Sequence, residues 1–333
     1  MSAAVPGAVG VGAVRVGAID CGTNSIRLLI ADVDPRAGVL SDVVRRMEVV
    51  RLGEGVDRTG VISAAALERA SVWAREYARE CRDAGVEAVR FVATSASRDA
   101  RNAADFVALV REAFGDYDVR PEVISGAEEA ALSFRGGAGE LAAAGFAGPY
   151  LVVDLGGGST EFVRGTDHAE TALSVDVGCV RFHERHLAGD PPTAAERAAA
   201  LADVDRALDR AEAEVGFTGI ATLVGLAGTV TTLTAHTLGL TVYDPERIHL
   251  ASPSVADTLA AAADLLDRTR DDRAALPFMH PGRADVIGAG ALVWARIVER
   301  VVAASPDVRL VSSEHDILDG IAWSLADSAN PQD

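Results

Sequence analysis

Two stretches of this chain are built alike: AIDCGTNSIRL, residues 18–28, and VVDLGGGSTEF, residues 152–162. In each, an apolar run ends at a carboxylate and gives way at once to glycine and serine. Asp20, Gly22 and Ser25 stand 134 positions before Asp154, Gly156 and Ser159, and Arg27 falls opposite Glu161. One glycine turn is a common way to end a strand. Two turns in register, each with an acid and hydroxyls, point to a duplicated architecture with a shared task.

The length agrees with duplication. The chain has 333 residues, and single cores stop growing well before that length, so two domains of about 150 residues are expected. The local pattern predicts strands near 14–20, 26–33 and 43–51, and a helix capped by Ser63 that runs to about Ala84. A strand over 88–94, a helix over 97–115, a strand over 119–124 and a helix starting at Ser125 follow. The pattern then restarts with strands near 150–154, 160–164 and 171–175 and a helix over 193–213. A strand over 221–228 runs into a glycine turn, further helices follow, and a strand over 308–313 and a closing helix end the chain. Three strands followed by alternating helix and strand, twice over, is an α/β plan with a mixed sheet in each half. The expected division is residues 14–136 with a C-terminal helix at about 315–328, then 137–314, with 1–13 a flexible extension.

Composition removes several functions. Hydrophobic residues make up 49% and charged residues 24% of the chain, an ordinary globular balance. No apolar run approaches the ~20 residues of a membrane span. Cys21, Cys81 and Cys179 are scattered without a C-x-x-C pair, which argues against a disulfide framework and for the cytoplasm. The net charge of −18 argues against nucleic acid as a partner. All 31 basic residues are arginine. Without lysine, the P-loop G-x-x-x-x-G-K-[ST] is excluded. GVGAVR at 10–15 lacks the third glycine of a dinucleotide fingerprint, HERH at 183–186 is not H-E-x-x-H, and no G-x-S-x-G elbow is present.

The glycine turns suit phosphate. Glycine lets successive backbone N–H groups converge, and such a nest takes phosphate oxygens. The candidate phosphate-binding groups are Gly22, Thr23, Asn24 and Ser25 in the first turn, and Gly156, Gly157, Gly158, Ser159 and Thr160 in the second. Asp20 and Asp154 would repel phosphate unless a hard cation such as Mg2+ or Mn2+ lies between. They are candidate metal ligands, with Glu161 as a third. A further turn, GLAGTVTTL at 225–233, places Gly228 and Thr229 where a helix N-terminus could meet an anion. Arg98, just past the strand over 88–94, and Arg27 are the candidate cationic phosphate contacts.

These motifs resemble a known group. IDCGTNSIRLLI, VVDLGGGSTEF and GLAGTVTTL look like the two phosphate loops and the third glycine loop of the actin-like superfamily. More narrowly, GTNSIRLL, ATSASRDARN, VISGAEEA, DLGGGSTEF, SVDVGCVRF and YDPERIH follow, in order and spacing, the exopolyphosphatase/guanosine pentaphosphate phosphatase family over about residues 14–325. The resemblance implies two actin-like (ribonuclease-H-like) domains, substrate in the cleft between them, a dimer, and Mg2+-dependent removal of a terminal phosphate. The substrate would be inorganic polyphosphate or guanosine pentaphosphate. It also implies that a glutamate of SGAEEA acts on the attacking water; alignment gives Glu129, with Glu128 as runner-up. Leu318 departs from an arginine that the family often carries. A non-catalytic polyphosphate- or nucleotide-binding protein would need the same turns but not Glu129, and a chaperone-like ATPase would need a substrate-binding β-domain.

Overall fold

Val14–Cys21 (β1), Ser25–Asp34 (β2) and Val39–Val49 (β3) form the first antiparallel meander. The computed structural model describes residues 12–329 except 116, 118 and 120. Residues 1–11 of the expected N-terminal extension therefore lie outside the described residues. The chain divides into two units, Met1–Ser125 with Ile317–Asp333, and Gly126–Asp316. No described helix is long and apolar enough to cross a membrane.

In the first unit Ala88–Ala93 (β4) and the short Glu122–Val123 (β5) complete a sheet of order β3-β2-β1-β4-β5. Side chains alternate across a strand. Ile19 and Cys21 therefore join Ile26, Leu28, Tyr77 and Phe91 in one core, while Asp20 points to the opposite face. Helix Ala64–Asp83 presents Ala66, Ala70, Ala74, Tyr77, Ala78 and Cys81 to that core. Its cap is the expected one, since Ser63 Oγ accepts the Ala66 N–H at 3.2 Å. The predicted helix over 97–115 is broken into Ser95–Asp99 and Ala103–Ala113. The cause is Asn102, whose side chain accepts the Ile62 N–H at 2.9 Å and donates to the Ile62 carbonyl at 3.0 Å. Pairing with a distant backbone competes with helix continuation.

The second unit repeats the plan. Tyr150–Leu155 (β6), Thr160–Gly165 (β7), Ala169–Val175 (β8), Thr222–Leu226 (β9) and Arg309–Ser312 (β10) form a sheet of order β10-β9-β6-β7-β8. Read from the free edge of the meander, both sheets run third, second, first, fourth, fifth. The registers agree to the residue: Asp20 pairs with Arg27 across β1 and β2, and Asp154 with Glu161 across β6 and β7. Helix Gly126–Ala138 packs against β6, β7 and β8, within the second unit; the sequence placed it in the first domain. The strand predicted over 221–228 ends at Leu226, and helix Ala227–Thr237 follows directly. The positive φ at this junction, 66°, belongs to Ala227 and not to a glycine.

Helix Ala194–Val215 opens with a capping box, in which Thr193 Oγ1 accepts the Glu196 N–H and Glu196 accepts the Thr193 N–H at 2.7 Å. Bonds from the Thr193 backbone and hydroxyl, and from the Gly189 N–H, lower the Glu196 pKa to about 2. Because this value lies below that of an unfolded glutamate, about 4.3, ionised Glu196 stabilises the fold above about pH 4.3. That stabilisation fades as pH falls toward 2. Glu196→Gln is expected to flatten the loss of melting temperature between about pH 5 and 2; thermal denaturation across that range checks it.

Candidate active site

In the first unit the turn closes when the Gly22 N–H donates to the Ser25 carbonyl at 2.9 Å. Its outward carbonyls are tied back. Val50 and Arg51 N–H groups donate to Asn24 O at 3.0 and 2.8 Å, and Gly53 N–H to Thr23 O at 2.8 Å. Gly53 is required by close approach, because a Cβ there would lie 2.3 Å from Thr23 Cγ2. Asp20 and Arg27, expected to meet metal and phosphate separately, meet each other: Arg27 Nη2 and Nε donate to Asp20 Oδ2 at 2.6 and 3.0 Å. The buried Asp20 charge is thereby balanced inside the protein. Arg98 Nη1 donates to the Ile124 carbonyl at 3.1 Å.

The second turn is the same device. Gly156 N–H donates to Ser159 O at 3.0 Å. The carbonyls are again tied back, here by helix Cys179–His186. Cys179 N–H donates to Gly156 O at 3.0 Å, while Val180 and Arg181 N–H groups donate to Gly157 O at 2.9 and 3.1 Å. Arg181 Nε donates to Gly158 O at 2.6 Å. Among the described residues, no acceptor takes the N–H of Gly157 or Gly158, nor of Thr23 or Asn24. Fixed carbonyls with uncommitted amides are what a phosphate nest requires.

Gly178 makes this buttress possible. A Cβ there would lie 2.4 Å from Gly157 O and 2.6 Å from Gly158 N. Gly178→Ala must therefore push the loop. It is expected to cost about 1–3 kcal/mol, as overpacking does, and to lower turnover. Melting temperature and phosphate release check this, and unchanged values of both would contradict it.

Beside the second turn the charges differ from those in the first. The partner of Asp154 is an acid, not an arginine. Glu161 is 1% exposed, and its pKa is raised well above the usual carboxylate range. Burial is the largest cause, followed by the like charges of Glu129 and Asp154; hydrogen bonds from Ser174 and Ser159 oppose them. Ser174 Oγ donates to Glu161 Oε1 at 2.7 Å, and Ser133 Oγ to Asp154 Oδ2 at 2.6 Å. Of the two adjacent acids on helix Gly126–Ala138, Glu128 is exposed and Glu129 is buried.

Glu161, buried beside the like charges of Glu129 and Asp154, is relieved by a proton or a cation. The hard oxygens of these acids suit Mg2+, which needs only one or two protein carboxylates and fills its octahedron with water and phosphate. The donor set around Asp154 and Glu161 therefore fits the implied metal, and the Arg27-paired Asp20 fits it less well.

Other expected groups are placed differently. Thr160 Oγ1 gives its proton to Val177 O at 2.6 Å, so it is not a phosphate donor here. Thr229 is buried against Gly290 and hydrogen-bonds the Cys179 side chain. Gly228 leaves space for Arg283: a Cβ on Gly228 would lie 2.3 Å from the guanidinium carbon, and Arg283 Nη1 donates to Gly228 O at 3.3 Å. The third glycine turn thus carries a cation that its own sequence does not show. Ser133, Gly53 and Arg283 were missed, and Ser174, Gly178 and Arg181 stand within SVDVGCVRF without their roles having been read from it. Two of them leave a signal in the sequence: Ser133 is four residues after Glu129 on one helix face, and Ser174 is the cross-strand partner of Glu161.

The sequence profile of the Ppx/GppA phosphatase family matches residues 29–324. The chain belongs to the Ppx/GppA phosphatase family. Among Ppx/GppA relatives, exopolyphosphatase 2 of Mycobacterium tuberculosis (strain CDC 1551 / Oshkosh) is 49% identical over 316 residues, covering 94% of this chain and 98% of that protein. The crystal structure of an exopolyphosphatase-like protein aligns with a TM-score of 0.90 at 44% identity, covering 94% and 98% of the two chains. An exopolyphosphatase from Cytophaga hutchinsonii aligns with a TM-score of 0.81 at 26% identity, again covering 94% and 98%. The Ppx/GppA fold is thus the two-sheet α/β architecture described above.

Proposed function

We propose that this chain is an exopolyphosphatase, which hydrolyses the terminal phosphoanhydride of inorganic polyphosphate and releases orthophosphate. The observation that carries the proposal is the buried acid group Glu129, Asp154 and Glu161, set beside a glycine loop whose carbonyls are tied back. The names of the relatives point the same way. Hydrolysis of a phosphoanhydride needs a placed water and neutralised phosphate oxygens, and little else. The Gly157 and Gly158 amides hold the terminal phosphoryl oxygens, and the Thr23 and Asn24 amides and Ser25 form a like phosphate nest in the first unit. Glu129 accepts a proton from the water as its oxygen bonds to phosphorus. The bridging P–O bond breaks, and the electron pair leaves with the shortened chain. Asp154, with Glu161, would hold Mg2+ or Mn2+, which when bound neutralises charge on the phosphate oxygens. Arg98, just past β4, and Arg27, on β2, are the proposed cationic phosphate contacts of the first unit. The three scattered thiols support a cytoplasmic location, and the family resemblance supports a homodimer.

The test is phosphate release by purified protein offered long polyphosphate, guanosine pentaphosphate and ATP in parallel with Mg2+. The highest kcat/KM is expected on polyphosphate. A higher value on guanosine pentaphosphate would reassign the substrate, and no release from any of them would remove the activity.

A further inference from the structure

Within the second unit, away from the acids described above, Glu140, His249 and His315 bring one ligand atom each to within 4.8 Å of one another. They come from three separate segments: just past helix Gly126–Ala138, just past the turn Pro245–Ile248, and between β10 and helix Ile317–Ala329. His315 Nδ1 lies 2.6 Å and His249 Nε2 3.0 Å from the same oxygen, Glu140 Oε1. The two rings are 4.4 Å apart and inclined at 42°, so they converge on that oxygen without stacking. All three side chains are partly exposed, so an ion and its remaining water ligands can reach them.

We infer that these residues form a binding site for a divalent transition-metal ion, with Zn2+ the best match. Two imidazoles and a carboxylate are a borderline-soft donor set, which favours Zn2+, Co2+ or Ni2+ over Mg2+ and leaves a fourth position for water. The site is therefore chemically distinct from the all-oxygen group at Asp154. The paired imidazoles already hold the Glu140 carboxyl far below its usual range, so this ligand is ionised throughout the physiological range.

Binding has a structural consequence. His249 Nδ1 accepts the Glu314 N–H at 3.2 Å, so without metal the ring hydrogen sits on Nε2 and faces Glu140. An ion that takes the Nε2 lone pair moves that hydrogen to Nδ1, and the Glu314 amide loses its acceptor. Glu314 also accepts the Tyr243 hydroxyl at 2.6 Å. Metal capture thus shifts the segment around Glu314, directly before the chain leaves this unit at residue 316.

The test uses full-length protein stripped with chelator, titrated with Co2+ and read by visible absorption, with Zn2+ added as competitor. One equivalent should bind, with the intense band of a four-coordinate site. Zn2+ should displace Co2+ and excess Mg2+ should not. Lowering the pH through the histidine range should weaken binding. His249→Ala and His315→Ala should each weaken it by more than the ~10–100-fold that losing an outer hydrogen-bond partner costs, and Glu140→Gln should weaken it as well. His249→Asn and His315→Asn replace the alanines if those unfold. No saturable binding by wild type would overturn the site. So would binding that survives both histidine substitutions, or that Mg2+ competes away.

Discussion

Glu129→Gln is expected to lower turnover on polyphosphate by about 10²–10⁴-fold, the usual cost of losing a general base, with binding retained. The substitution keeps the side-chain size and one acceptor oxygen but removes the basicity. It also removes one of the two like charges acting on Glu161. The variant should therefore be no less stable than wild type, and substrate should bind as well or slightly better. These signs separate a catalytic role from a helix-start role, in which Gln would cost up to ~1 kcal/mol of stability and leave turnover nearly intact. Glu128→Gln is the control. Glu128 is exposed, so its change should leave all three quantities near wild type. Rate, affinity and melting temperature of both variants decide the assignment, and a dead Glu128 variant beside a live Glu129 variant would shift the role by one residue.

Asp154→Asn should be the second large effect, a fall of roughly 10³-fold, since a metal's neutralisation of phosphate is worth several kcal/mol and each ~1.4 kcal/mol is tenfold. Asparagine is preferable to alanine because Ser133 Oγ donates to Asp154 Oδ2 at 2.6 Å. Alanine would leave that buried hydroxyl without its acceptor, at about 1–3 kcal/mol, and would mix stability with catalysis. Asparagine keeps an acceptor for Ser133 and removes the charge, with an NH2 in place of the second oxygen. Turnover measured against Mg2+ should stay low even at high metal. Activity within a few-fold of wild type, or wild-type activity that persists in excess chelator, would remove the metal role.

What was legible in the sequence was local. The Asp-Gly-Ser turns announced two like halves because strand, acid and glycine lie within eleven consecutive residues. The Ser63 cap could be read from its position before an apolar-periodic run. What escaped was held by contacts distant along the chain. Nothing near Gly228 announces Arg283, and nothing near Ala100 shows that Asn102 pairs with Ile62. The two glycine loops are held rigid by residues 50–53 and 178–181, which lie about two dozen positions downstream of each turn. A motif read in isolation shows the loop and not its support. The contrast between Arg27 and Glu161 was visible as letters. Its consequence, an acid paired with arginine in one unit and a buried Glu161 beside two like charges in the other, needed burial to appear.

The most direct test of hydrolysis by a water placed beside the acids is turnover of polyphosphate in H2 18O, with the released orthophosphate analysed by mass. The account expects one solvent oxygen in each orthophosphate, no requirement for a nucleotide, and loss of the labelled product in Glu129→Gln. Phosphate that appears only on an added nucleoside diphosphate, or chains cut internally without release of labelled orthophosphate, would contradict it.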